Sequence, residues 1–209
     1  MKLYSYWRST TSYRVRIALN LKGIAYAAVP VNLVRGEQKA PDYAALNPGL
    51  GVPTLLLDDG TALTQSMAIL DWLEETHPDP ALLPQDAVAR ARVRAAALVI
   101  ATDIHPVNNL RVTGRLKAMG HDQDDTVGWM NDWMTRGFAA FDRMIASDTP
   151  FCFGDRPGLA DLCLVPQLYN AHRWGCDLAS FPRLTQIEAR CLALPAFDAA
   201  RPENQPDAD

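Results

Sequence analysis

The sequence predicts a two-domain chain, with an α/β domain over residues 1–80 and an all-α domain over residues 87–209. Three observations carry that reading. The first third runs strand, helix, strand in short order. An Asp59-Gly60 pair then sits between two apolar runs, the mark of a hairpin turn. Beyond "HPDPALLPQDA", residues 77–87, only helical periodicity recurs.

The elements follow in order. "KLYSY", residues 2–6, reads as the opening strand. "SYRVRIALNLKG", residues 12–23, reads as a helix, because Tyr13, Ile17 and Leu21 recur one turn apart and Gly23 supplies a stop. "AYAAVPVNL" reads as a strand that Pro30 places at a sheet edge or bends late. "QKAPDYAALNP" is a short helix ending before Pro48, and "TLLLDDGTAL" is the hairpin. "SMAILDWLEETHP" is a helix with Ser66 as its cap and Pro78 as its stop. Pro78, Pro80 and Pro84 mark the interdomain linker. Helical segments are expected at about 86–119, 125–147, 159–173 and 183–194, and the polar tail "ARPENQPDAD" is expected to fray.

Composition bounds the function. The chain has 209 residues, 48% of them hydrophobic, enough to build cores without staples. A net charge of −4 and a pI of about 5.5 argue against a nucleic-acid partner. The N-terminal "MKLYSYWRS" lacks the apolar core of a signal peptide, and no apolar run is long enough to span a bilayer, so no membrane association is expected. Cys152, Cys163, Cys176 and Cys191 all fall in the last third, without metal-ligand spacing. Reduced thiols, a cytoplasmic location and no metal are the expectation.

Chemistry concentrates in three stretches. In "WRSTTSYRVRIALNLKG", Ser9, Thr10, Thr11 and Ser12 stand between Arg8 and a helical run. A helix cap uses one hydroxyl, and the surplus suggests a bound anion or an ionised thiol. Val52-Pro53 precedes a strand. An ordinary trans proline is the common state there, whereas a cis bond would present the Val52 N–H and C=O to a ligand like a strand edge. Gln65-Ser66 opens a helix, where free N–H groups and the helix dipole favour a carboxylate.

Taken together, the βαβ unit, the V-P loop, the hairpin, the Q-S helix start and the all-helical remainder resemble a glutathione transferase. The resemblance covers nearly the whole chain and is nearest the zeta class, on "STTSYRVRIALNLKG", "ALNP", "VPTL", "QSMAILDWLEE", "LLPQD" and "ADLCLVPQ". It implies a thioredoxin-like first domain that grips glutathione and a helical second domain that completes the substrate pocket. That class includes the maleylacetoacetate and maleylpyruvate isomerases, which use glutathione to turn a cis double bond trans. There are two departures. Thr11 stands where the class usually has a cysteine, so a thiol-specific role there is excluded. Gly158 stands where a Ser/Thr cap is expected before Asp161, leaving that capping box incomplete.

By the resemblance, Ser9 holds the glutathione sulfur as a thiolate, with Thr10 and Thr11 behind it. Gln38, Val52 with Pro53, Gln65 and Ser66 bind the peptide, Val52 through its main chain and Ser66 at the γ-glutamyl carboxylate. His105 and Asn109, in "TDIHPVNNLRV", reach glutathione from the helical domain. Arg8, Arg111 and Arg173 meet a small dicarboxylate keto-acid, with Arg8 also stabilising the charge that develops during reaction. The implied reaction is glutathione-dependent cis–trans isomerisation of maleylpyruvate or maleylacetoacetate, by a homodimer. Two other readings stand beside it: a transferase that consumes glutathione on small electrophiles or α-halo acids, and a non-catalytic interaction module.

Overall fold

The computed structural model describes residues 1–208. Its backbone divides into one compact unit of residues 1–81 with 192–209 and a second of residues 82–191. The first unit thus also takes in the C-terminal residues that the sequence assigned to the helical domain.

In the first unit, four strands pair in the order β2-β1-β3-β4. They are β1 (Lys2–Ser5), β2 (Ala27–Pro30), β3 (Thr54–Leu56) and β4 (Ala62–Thr64). β1 and β2 are parallel, so the chain must cross over between them, and α1 (Thr10–Leu21) makes that crossing. β3 runs antiparallel to β1 and to β4. Pro30 closes β2, an edge strand, where its missing N–H costs no ladder bond. Between the strands lie the short α2 (Pro41–Leu46) and then α3 (Ser66–Thr76). Leu3, Val15, Ile17, Leu55, Ile69 and Leu73 form a core with no solvent exposure.

α1 ends where the sequence places its stop. Gly23 takes a left-handed φ of 65°, and the Ile24 N–H reaches back to the Leu19 carbonyl at 2.9 Å. Lys22, just before it, has a fully buried side chain. Its ammonium donates to Glu74 Oε2 at 3.0 Å, to the His77 carbonyl at 2.6 Å and to the Pro80 carbonyl at 2.9 Å. One cation thus fastens the ends of α1 and α3 together.

The tail does not fray as the sequence suggested. The helix α9 (Pro195–Ala200) lies against α1, and a 3₁₀ turn (Pro202–Asn204) packs on α9. Phe197 and Ala200 are fully buried. Asn20 Nδ2 donates to the Ala196 carbonyl at 3.1 Å and Arg16 Nε to the Ala200 carbonyl at 3.0 Å. Composition alone could not show these bonds. The last tail residue, Asp209, lies outside the described residues.

The second unit is helical: α4 (Ala87–Leu98), α5 (Leu110–Ala118), α6 (Gln123–Asp142), α7 (Leu159–Arg173) and α8 (Pro182–Leu192). The long helical segment expected at 86–119 is interrupted at His105-Pro106, where the sequence itself places a break. α4 widens into a π-helical stretch over Val99–Ile104, a 3₁₀ turn follows at Pro106–Asn108, and Asn109 caps α5. Pro106 has no N–H to continue the ladder, so the chain must restart there.

α7 explains the glycine at its cap. The Asp161 carboxylate accepts the Gly158 N–H at 2.9 Å and the Cys152 N–H at 3.0 Å, so half of the capping box is made. Burial pushes the Asp161 carboxyl up, and these amide bonds oppose that shift. A Cβ on residue 158 would stand 2.8 Å from the Leu82 carbonyl oxygen, whose backbone accepts the Leu159 N–H at 2.9 Å. A serine would complete the box but collide with the chain. Gly158→Ala is therefore expected to cost about 1–3 kcal/mol, the usual penalty of overpacking. Urea denaturation checks it, as a lower midpoint at an unchanged m-value.

Candidate active site

Strand register brings three candidate stretches together in the first unit. Tyr4 of β1 pairs with Thr54 of β3, which pairs with Thr64 of β4. The chain leaving β1 (residues 6–9), the chain entering β3 (residues 52–53) and the chain leaving β4 (residues 65–66) therefore meet at one end of the sheet. These are the three stretches that the sequence marked for chemistry.

Ser9 caps α1, and its Oγ accepts the Ser12 N–H at 3.2 Å. Ser9 Oγ also lies 3.0 Å from Thr11 Oγ1, and the Thr11 hydroxyl donates to the Val52 carbonyl at 2.9 Å. Because the single Thr11 proton is committed to Val52, the Ser9 hydroxyl is the donor toward Thr11. A ligand acceptor stronger than an alcohol, such as a thiolate, can draw that proton to itself. Ser9 and Thr11 are half-buried, whereas Thr10 and Ser12 are buried. The cap and the surplus hydroxyl are thus separate parts: Ser9 serves both, and Thr11 links it to the opposite loop.

That loop is tightly pinned. Asn47 Nδ2 donates to the Gly51 carbonyl at 2.8 Å and to Thr54 Oγ1 at 3.0 Å, and the Tyr43 hydroxyl also meets both. Burial raises the Tyr43 phenol, keeping it a proton donor. The Val52-Pro53 bond is cis. Among the described residues the Val52 N–H makes no hydrogen bond, and the Val52 carbonyl retains one lone pair beyond the bond from Thr11.

The third stretch corrects the sequence reading. Gln65, not Ser66, is the N-cap of α3, and it gives no side-chain bond to the first turn. It holds a left-handed φ of 67°, strained for a non-glycine. Ser66 is the first helical residue. It is buried, and its Oγ accepts from Arg14 Nη1 at 3.4 Å. The result is an α-helix start without a side-chain cap, fitted to an anion. Gln38 lies in a 3₁₀ turn after β2, with its Oε1 buried and unbonded among the described residues, an acceptor awaiting an N–H.

Arg8 is held in place: Nη2 donates to the Tyr6 hydroxyl at 3.1 Å, and the guanidinium stacks 4.6 Å over the Trp7 ring. The remaining candidates belong to the second unit. His105 ends the π-helical stretch, its N–H bonded to the Ile100 carbonyl at 3.0 Å. Asn109 Oδ1 accepts the Arg111 N–H at 3.1 Å. Arg111 is exposed, and the exposed Arg173 stacks 4.6 Å over Trp174. The four cysteines are buried, and burial pushes Cys152, Cys176 and Cys191 up, toward the unreactive thiol form.

Sequence reasoning missed the supports. Arg14 and Arg16 are almost completely buried within α1, and Asn47 locks the loop before Val52. The only signal was "RVRIAL", two arginines inside an apolar pattern.

The known proteins that this chain resembles agree with one another. Residues 8–76 match the family model "Glutathione S-transferase, N-terminal domain". A maleylacetoacetate isomerase of Pseudomonas aeruginosa is 51% identical over 99% of this chain and 98% of its own. The holo structure of a bacterial zeta-class maleylpyruvate isomerase superposes with a TM-score of 0.97 at 45% identity, covering 100% of both chains. A maleylacetoacetate isomerase of Methylobacterium extorquens, solved with malonate and GSH bound, superposes with a TM-score of 0.95 at 41% identity over 100% of both.

Proposed function

Because the chain belongs to the zeta class of the glutathione S-transferase family, we propose that it is a glutathione-dependent cis–trans isomerase of a maleyl keto-acid, maleylpyruvate or maleylacetoacetate. The observation that carries this reading is the Ser9–Thr11–Val52 hydroxyl chain, set at the same sheet end as the uncapped start of α3. The two offer what a γ-glutamyl-cysteinyl peptide needs, in the order it needs it: an anion site, a free main-chain edge and a hydroxyl for sulfur.

Bound glutathione supplies a thiolate that adds reversibly to the double bond and leaves after rotation, so none is consumed. Ser9 donates its hydroxyl proton to hold the sulfur charged, and the α1 N-terminus beside it favours that charge. Val52 pairs with the peptide main chain, and Gln65, Ser66 and the first amides of α3 take the γ-glutamyl carboxylate. Gln38 accepts a peptide N–H. Arg8, already oriented by Tyr6 and Trp7, meets the negative charge that grows on the keto oxygen. His105 and Asn109 carry a glutathione-binding role, and Arg111 and Arg173 a carboxylate-binding role, on the family pattern. The malonate bound in the Methylobacterium relative supports a dicarboxylate substrate. No described helix is long and apolar enough to cross a membrane. The buried free thiols support a reducing, cytoplasmic setting, and family membership supports a homodimer.

The test follows substrate and thiol together. Incubation with glutathione and a maleyl keto-acid is expected to give the fumaryl product while free thiol stays constant. Thiol loss in step with turnover would instead establish conjugation, and no reaction of either kind would leave a binding module.

A further inference from the structure

Arg8 and Ser9 are both displayed by the connection from β1 to α1, residues 6–9, and that connection is gripped from two directions. From inside, the buried Arg16 guanidinium donates to the Trp7 carbonyl at 3.0 Å, to the Tyr6 carbonyl at 3.4 Å and to Ser5 Oγ at 3.0 Å. From the far end of the chain, the Asp207 carboxylate accepts the Trp7 N–H at 3.0 Å, across 200 residues of sequence. The turn bearing Asp207 is itself held. The Ala208 N–H donates to the Gln205 carbonyl at 3.0 Å, and Gln205 Nε2 donates to the Ala199 carbonyl at 3.0 Å and the Arg201 carbonyl at 2.8 Å.

We propose that Asp207 is a positioning residue for the isomerisation: its carboxylate fixes the Trp7 amide, and through it the Arg8 guanidinium and the Ser9 hydroxyl. The inference rests on the functional reading above and deepens it. Trp7 is the platform on which Arg8 stacks, so holding its main chain aims the cation. Ser9 follows two residues later, and its N–H closes the turn onto the Tyr6 carbonyl at 2.9 Å. A carboxylate makes a stronger acceptor for an amide than water or a neutral oxygen. Asp207 is half-exposed, so its loss lets the Trp7 N–H turn to water and leaves the core intact. What changes is the precision of the loop, and misplacement by about an ångström can cost up to about 10²-fold in rate.

The test compares Asp207→Ala with Asp207→Asn in the full chain. Asp207→Ala is expected to lower kcat roughly 10-fold, with KM for glutathione nearly unchanged, because the peptide's main chain and carboxylate are held elsewhere. Asp207→Asn keeps an acceptor oxygen and is expected to recover most of the loss. A second readout needs no keto-acid: the ultraviolet absorbance of enzyme-bound glutathione thiolate, titrated against pH, should show a higher thiol pKa in Asp207→Ala than in the parent. Parental kcat and thiolate titration in Asp207→Ala would overturn the proposal, as would an Asp207→Asn variant as impaired as Asp207→Ala. If the parent itself fails to isomerise any maleyl keto-acid, the functional reading falls, and the thiolate titration alone decides the role of Asp207.

Discussion

Ser9→Ala is expected to lower kcat by roughly 10²–10³-fold, the usual cost of removing one donor to a catalytic anion. KM for glutathione should hardly move, because the carboxylate and main-chain contacts remain. Two effects are superposed in this variant, since Ser9 Oγ is also the N-cap of α1. Losing a cap costs about 1 kcal/mol of stability, which the melting temperature reports. Ser9→Asp separates the two. It keeps an acceptor for the Ser12 N–H and so keeps the cap, but offers no proton to sulfur and adds a like charge. It should melt near the parent and turn over no faster than Ser9→Ala. The sign with pH is also fixed. Without the donor the thiol pKa rises, so the ascending limb of the kcat profile moves to higher pH. Near-parental turnover in both variants would transfer the role to Thr11 or to the backbone amides of α1.

Arg8→Met should produce a loss of comparable kind, falling on kcat, because the charge that Arg8 meets exists only as the reaction proceeds. Its preorganisation by Tyr6 and Trp7 supports that assignment. Arg111→Met and Arg173→Met should behave differently. A charged hydrogen bond is worth about 1.5–3 kcal/mol, so each should cost roughly 10- to 150-fold in kcat/KM. That loss should appear mainly in KM, since substrate carboxylates are present throughout. Steady-state kinetics with maleylpyruvate and with an uncharged electrophile decide the matter. Equal losses of Arg111→Met and Arg173→Met on both substrates would sink the carboxylate-binding role.

Local pattern made much of this protein legible. The Tyr13, Ile17 and Leu21 stripe gave α1, Asp59-Gly60 gave the hairpin, and Pro30 fell on an edge strand. Ser9 and Val52 could be picked out as candidates because hydroxyl or proline chemistry coincides there with a helix or strand start. The features that escaped are those fixed by distant partners. The tail was expected to fray by composition, yet Arg16 holds its first residue, Ala200, and the Trp7 N–H meets Asp207 near its end. Ser66 looked like a cap because serine usually is one. That Gln65 takes a left-handed conformation depends on how β4 delivers the chain to α3. Gly158 looked like a defect until Leu82 was seen lying against it. Pro106 marked the break after His105, but nothing in the sequence showed that α4 widens into a π-helical stretch before it.

The uncapped start of α3 has an evolutionary consequence. The anion site proposed there is made largely of backbone amides, which any residue but proline supplies. The proposed sulfur end, by contrast, rests on the side chain of Ser9. Random substitution therefore erases the chemistry more readily than the grip on a γ-glutamyl carboxylate. A lineage descending from such a protein would tend to keep a peptide holder after it had lost an enzyme, and new reactivity could be regained by replacing a few side chains around a cofactor that never left.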